Sequence, residues 1–149
     1  MREILFKAKR VKNGEWIEGS LIDLDIDSGY CYIVPPYKQA STLPIGFLIT
    51  DGMELVIPET LCQFTGLCDK NGKKIWENDI VLVAESIYST VKFGLYHEAS
   101  KSGRTHQGFY LESMDKYYYR EELGYWAKES VVVGNIFDNK ELLQEESDE

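Results

Sequence analysis

No apolar run in this sequence approaches the roughly 20 residues that a membrane span needs, and the opening Met1-Arg2-Glu3-Ile4 lacks the apolar stretch of a secretory signal. A cytoplasmic location without a membrane partner is the expectation that follows. Cysteine is scarce and odd in number, at Cys31, Cys62 and Cys68. A chain of 149 residues can bury a core without disulfide staples, so all three thiols are expected to be buried in a reducing compartment. Zinc is not expected: Cys62 and Cys68 have no second Cys or His pair at metal-ligand spacing. Glycine never builds a phosphate cradle, because Gly66, Gly72, Gly103, Gly108 and Gly134 are not followed by a Lys-Ser/Thr pair. They are expected in turns and bulges.

Excess positive charge is also missing. The net charge is −9: residues 1–12 carry five basic and one acidic side chain, residues 138–149 one basic and six acidic, and the middle ten basic and eighteen acidic. Such a chain offers no broad positive field for the phosphates of a duplex, which makes nucleic acid an unfavoured partner. What is abundant is apolar and aromatic: 44% hydrophobic and 13% aromatic residues, the composition of one packed domain.

Those residues arrange as strands. Glu3–Val11 alternates partly between apolar and charged positions, Asn13-Gly14 supplies a dipeptide that accepts positive φ, and Glu15–Ile22 forms the return strand of an N-terminal hairpin. Tyr30–Val34, stopped by Pro35-Pro36, and Glu54–Ile57, stopped by Pro58, read as strands, with residues 36–48 as loop. A second Asn-Gly, Asn71-Gly72, predicts a turn within Leu67–Trp76. Residues 80–84, 89–93, 108–112 and 131–137 complete the β set, with Asn135 after Gly134 as a bulge or backbone-bonding position. Asp138 with Glu141 predicts one short helix, and Asp115 a second over Lys116–Leu123 ending at Gly124, for which a strand is the alternative. The divisions expected are an N-terminal β region over 1–57, a barrel-like core over 58–143 and a flexible acidic tail over 144–149.

Three blocks of residues resemble the YopX family of phage and prophage proteins. They are Phe6–Arg10 with Asn13–Gly19, a central block whose most specific part is Gln63-Phe64-Thr65-Gly66-Leu67-Cys68-Asp69-Lys70-Asn71-Gly72-Lys73-Lys74-Ile75-Trp76-Glu77-Asn78-Asp79-Ile80-Val81, and Val133-Gly134-Asn135-Ile136-Phe137-Asp138-Asn139. Asn78 stands where the family commonly has glycine, and asparagine still suits a left-handed turn. The resemblance implies a phage-derived, mainly β protein: a small SH3-like barrel with an N-terminal β-hairpin region and one or two short helices. It implies no established activity, so it transfers no catalytic residue.

Candidate chemistry is thin. His97 and His106 bracket Ser100, Lys101, Ser102 and Arg104, but a nucleophile, a base and an orienting group held rigidly are needed, and the stretch reads as a polar loop. Asp69 and Asp79 flank a Gly-containing turn and resemble an acid–base pair only on paper. The plainer expectation is that Asp69 bonds its own turn and Asp79 fixes the start of the next strand. The aromatic half of the chain, with Tyr88, Tyr96, Tyr110, Tyr117, Tyr118, Tyr119, Tyr125 and Trp126, is more informative. Aromatic surface beside a polar rim suits protein interfaces, peptide grooves and stacked bases. Tyr88, Tyr96, Tyr110, Tyr118 and Trp126 are therefore the candidate partner-binding residues, with barrel packing as the competing role. The first reading is a non-enzymatic module that binds a protein partner or a second copy of itself, a possible homo-oligomer, with no cofactor, metal or catalytic residue. The second is a nucleic-acid-binding barrel helped by Lys7, Lys9, Arg10 and Lys12. An enzyme ranks last.

Overall fold

The computed structural model describes residues 2–36, 52–97, 104–112, 114 and 120–144. Residues 37–48 of the expected loop, the acidic tail over 145–149, and Asp115 through Tyr119, with Tyr118 among them, lie outside the described residues. The chain divides into two units, residues 1–64 and 65–149.

In the first unit, β1 (Phe6–Lys9) and β2 (Trp16–Asp25) pair antiparallel from Phe6↔Gly19 to Lys9↔Trp16. The Arg10 N–H bonds the Glu15 carbonyl at 2.8 Å, which leaves a four-residue loop closed by Gly14 at φ 73°. The Asn13 side chain accepts the Glu15 N–H at 2.9 Å, so Asn-Gly serves a wider loop than the tight turn its sequence suggests. Tyr30–Val34 (β3), Glu54–Leu55 (β4) and Cys62–Cys68 (β5) complete an antiparallel order β4-β3-β2-β1-β5. Alternation buries Ala8, Ile17, Cys31, Ile33 and Val56 as this unit's core.

Gly19 is required by proximity rather than by φ. A Cβ there would meet the carbonyl carbon of Val34 at 2.6 Å and the Pro35 Cα at 2.8 Å, both main-chain atoms that cannot rotate aside. Gly19→Ala is expected to cost about 1–3 kcal/mol through overpacking, read as a lower urea midpoint with an unchanged m-value.

In the second unit, β5 pairs with β6 (Lys74–Trp76) across residues 70–72. The Asp69 N–H bonds the Lys73 carbonyl at 2.8 Å and Gly72 stands at φ 83°, a three-residue hairpin loop with glycine at its left-handed position. Asp79–Val83 (β7), Ile87–His97 (β8), Thr105–Leu111 (β9) and Ser130–Asn135 (β10) form an antiparallel sheet in the order β10-β7-β8-β9. Among the described residues no ladder joins β9 to β10. The core gathers Ile75, Val81, Val83, Val91, Leu111, Met114, Leu123, Trp126 and Ala127.

Two further turns of this unit need left-handed backbone. Asn78 adopts φ 71°, as its place in the sequence predicts, and its main chain bonds the Val91 carbonyl at 2.8 Å and the Ile136 N–H at 3.0 Å. The β7–β8 hairpin turns through Ala84 (φ 50°) and Glu85 (φ 62°), closed by the Ser86 N–H on the Val83 carbonyl at 3.1 Å. That is a type I′ turn built without Asn or Gly. In β10 the register shifts between Val132 and Gly134, and the Asn135 side chain accepts the Phe137 and Asp138 N–H groups at 2.9 Å each, so Asn135 is both beside a bulge and backbone-bonding.

The helices are short, and residues 116–119 of the one expected over Lys116–Leu123 lie outside the described residues. The first, α1 (Leu123–Trp126), contains Gly124 instead of ending there. The second, α2 (Glu141–Gln144), starts after the turn that holds Asp138, whose carboxylate accepts a hydrogen bond from the Asn135 side-chain amide at 3.2 Å. The chain is mainly β, as expected, and no helix among the described residues is long and apolar enough to cross a membrane.

Candidate functional site

β8 is eleven residues long, and its two halves have different neighbours. Ile87–Thr90 pairs with β7, whereas the seven residues Val91–His97 pair with β9 from Val91↔Leu111 to His97↔Thr105. Beyond Val91 the two strands form a ribbon, and alternation gives it two unlike faces.

One face continues the core outward. Val91 and Leu111 are fully buried; the next pair, Phe93 and Phe109, meet edge to face with centroids 5.0 Å apart; Leu95 follows. Phe93 is 51% exposed and Leu95 72%.

The other face carries Lys92 opposite Tyr110, Gly94 opposite Gly108 and Tyr96 opposite His106. A Cβ on Gly108 would touch the Tyr96 ring at 3.6 Å, and one on Gly94 the Tyr110 ring at 3.8 Å, so each tyrosine covers the glycine diagonal to it. The Tyr96 ring lies 5.7 Å from His106 and 6.0 Å from Tyr110. Beside them Arg120 and Glu122 form an ion pair at 3.3 Å, and the Arg120 guanidinium stacks over Tyr125 at 4.1 Å. Tyr96, His106, Arg120 and Glu122 line an open cleft of about 150 Å³. Partial burial, then the nearby Glu122 charge, push the Tyr96 hydroxyl above its ordinary pKa, so it stays neutral and able to donate.

Of the residues expected to bind a partner, the structure brings Tyr96 and Tyr110 together at this cleft. Tyr88 lies at the other end of β8, half-buried opposite Leu82. Trp126 is a core residue, 5% exposed, with its indole N–H on the Arg120 carbonyl at 3.2 Å. The sequence reading did not single out Arg120 and Glu122 as cleft residues; an available signal was the absence of Asp and Glu throughout Ile87–His97 and Arg104–Leu111 in a chain with 25 of them.

The remaining candidates resolve into structural roles. His97 and His106 sit on opposite faces of the ribbon and do not converge. Asp69 bonds its own turn through the Asn71 and Lys73 N–H groups, both at 2.9 Å, and also takes the Val132 N–H at 2.9 Å. Asp79 accepts the Trp76 N–H at 2.8 Å and fixes the start of β7. Cys31 and Cys62 are buried as expected, but Cys68 is exposed, since it occupies an outward position of β5. Among the described residues no group of three His, Cys, Asp or Glu side chains is arranged to hold a metal. In the first unit, Lys7 and Lys9 lie over the Trp16 ring at 4.8 and 5.5 Å, Lys12 pairs with Glu54 at 2.9 Å, and Arg10 lies within 4.0 Å of Glu15 and Glu54.

Comparison with curated proteins gave no match. The fold is similar to the crystal structure of protein EF1440 from Enterococcus faecalis, with 24% sequence identity and a TM-score of 0.50 over 96% of this chain and 99% of that one. The family model described as YopX protein matches residues 5–144, and the chain therefore belongs to the YopX family.

Proposed function

We propose that this chain is a non-catalytic interaction module of phage or prophage origin that docks a protein partner in the host cytoplasm through the β8–β9 ribbon. The observation that carries the reading is the strip Phe93–Leu95, in which the core face of the sheet runs on into solvent with two large apolar side chains exposed. Exposed apolar strips joined to aromatic neighbours are what protein interfaces bury. No disulfide joins Cys31, Cys62 and Cys68, which fits a reducing compartment.

The test is Phe93→Ser combined with Leu95→Ser in the full chain. Leu95 is exposed and Phe93 keeps only its edge-to-face contact with Phe109, so the loss of stability should be about 1–2 kcal/mol and the variant should remain folded. The specific complex recovered from cells that carry the parent phage or prophage should be lost, with its composition and mass read by light scattering. A complex retained by the double variant would overturn the reading.

A second reading, single-stranded nucleic acid on the Tyr96–His106–Tyr110 face, draws support from the acid-free ribbon with Lys92 and Arg104. Glu122 in the cleft weighs against it. Strong, salt-dependent retention on a phosphate resin would favour it over the first.

A further inference from the structure

The outer edge of β9 has a direction that two hydrogen bonds define. The Glu112 N–H bonds the Thr90 carbonyl at 2.9 Å on the β8 side, and the Leu111 N–H bonds the Glu121 carbonyl at 2.7 Å on the opposite side. Main-chain groups of an antiparallel strand alternate sides, so those of Phe109, Gln107 and Thr105 point the same way as Leu111, away from β8. The chain already occupies the first step of this edge: Tyr110 and Glu122 form an antiparallel bridge. At Leu123 the chain turns into α1, which stays packed beside β9 at this end of the edge. Among the described residues, no strand pairs with Thr105–Phe109 on that side.

An open strand edge is a template for one more strand, and the faces beside it specify what that strand should carry. On one face lie Phe93 and Phe109, which call for apolar side chains. On the other lie Lys92 and His106, with Arg104 just before β9 and no acidic residue in either strand. A second copy adding its own β9 would set basic face against basic face, which argues against self-pairing here. The acidic side chain described beside this face, Glu122, is paired with Arg120 at 3.3 Å, which leaves Lys92 and Arg104 as the charges of the face.

We propose that the Thr105–Phe109 edge of β9 is a strand-addition site for an extended segment of a partner protein in which apolar residues alternate with acidic ones. The proposal rests on the reading of the ribbon as a docking surface. Apolar residues of the segment pack beside Phe93 and Phe109, its carboxylates face Arg104 and the His106 ring, and its main chain takes the outward N–H and C=O groups of Thr105 and Gln107 and the outward N–H of Phe109, whose C=O already serves the Tyr110–Glu122 bridge.

The probe is a capped hexapeptide of alternating valine and glutamate, titrated against the full chain by NMR. Expected are slowed exchange at the Thr105, Gln107 and Phe109 amides and binding at least about tenfold tighter than for the matching valine–lysine peptide. Gln107→Pro should weaken binding about tenfold, as should N-methylation of alternate peptide amides, because each removes edge hydrogen bonds. Proline at 107 removes only an outward N–H and leaves the β8 ladder intact. No binding, equal binding of the lysine peptide, or indifference to Gln107→Pro would overturn the proposal. If the partner complex is lost in the Phe93→Ser, Leu95→Ser variant yet survives Gln107→Pro, strand addition fails while the docking surface stands; if it survives both, both fail.

Discussion

Replacing Asp69 with alanine is expected to destabilise the second unit by about 3 kcal/mol, measured by urea unfolding. Asp69 is 6% exposed, and its carboxylate accepts three main-chain N–H groups, from Asn71, Lys73 and Val132. Two of them hold the β5–β6 loop, and the third ties that loop to β10. Without the acceptor, Asn71 and Lys73 are exposed enough for water to replace it, but the half-buried Val132 amide is not so easily served. Asp69→Asn should cost less, about 2 kcal/mol, since one carbonyl oxygen remains while the amide opposes one of the donors.

The same residue gives a pH dependence. Burial, the largest influence, raises the Asp69 pKa, but the bonds from Val132, Lys73 and Asn71 with the charge of Lys73 together outweigh it and lower the value. The folded chain therefore holds this proton less tightly than the unfolded chain, whose aspartate titrates near about 3.9. Its contribution is fully present above that unfolded value and is lost as pH falls through the depressed folded one. The acid limb of a stability-against-pH curve should flatten in Asp69→Asn, and an unchanged limb would show that the three bonds do not depend on the charge.

Trp126→Ala should cost about 3–5 kcal/mol, the largest loss expected of any substitution considered, whereas Trp126→Phe should cost about 1–2. The indole packs in the core with Leu123 and Ala127, meets Tyr125 edge-on at 4.8 Å, and donates to the Arg120 carbonyl. Phenylalanine keeps most of the packing and loses the hydrogen bond. Truncation also frees the carbonyl of Arg120, so the Arg120–Glu122 pair and the cleft should loosen with the core. Thermal denaturation separates these costs from partner binding, which the phenylalanine variant should retain.

The parts of the fold legible in the sequence are those written in local chemistry. Asn13-Gly14 and Asn71-Gly72 mark hairpin loops because only Gly, and to a lesser degree Asn, takes left-handed backbone cheaply, and Asn78 follows the same rule. The aspartate in Asp69-Lys70-Asn71-Gly72 bonds its own turn for a similar reason. Ala84-Glu85 carries no such mark: its left-handed turn is imposed by the strands it joins and by the Glu129 carbonyl that takes the Ala84 N–H at 2.9 Å. The cleft was half legible. Tyr96 and Tyr110 stand out as aromatics in strands, but Arg120 and Glu122 reach them through the Tyr110–Glu122 bridge, which no spacing in the chain announces. Trp126 was legible as a large aromatic and not as a core residue, because burial depends on what packs over it.

Two exposed apolar side chains beside an open edge are also a colloidal hazard, since the apolar strips of two molecules can stick together even where their edges do not pair. The net charge of −9 bears on that hazard. Molecules of like charge repel before their ribbons can meet, and the repulsion keeps the strip accessible to its partner in a crowded solution. The net acidity of the chain thus acts as a solubility guard for the ribbon. The guard weakens as the carboxylates protonate or as salt shortens the range of the repulsion, and it is strongest under the neutral, moderate-salt conditions in which a partner would be met.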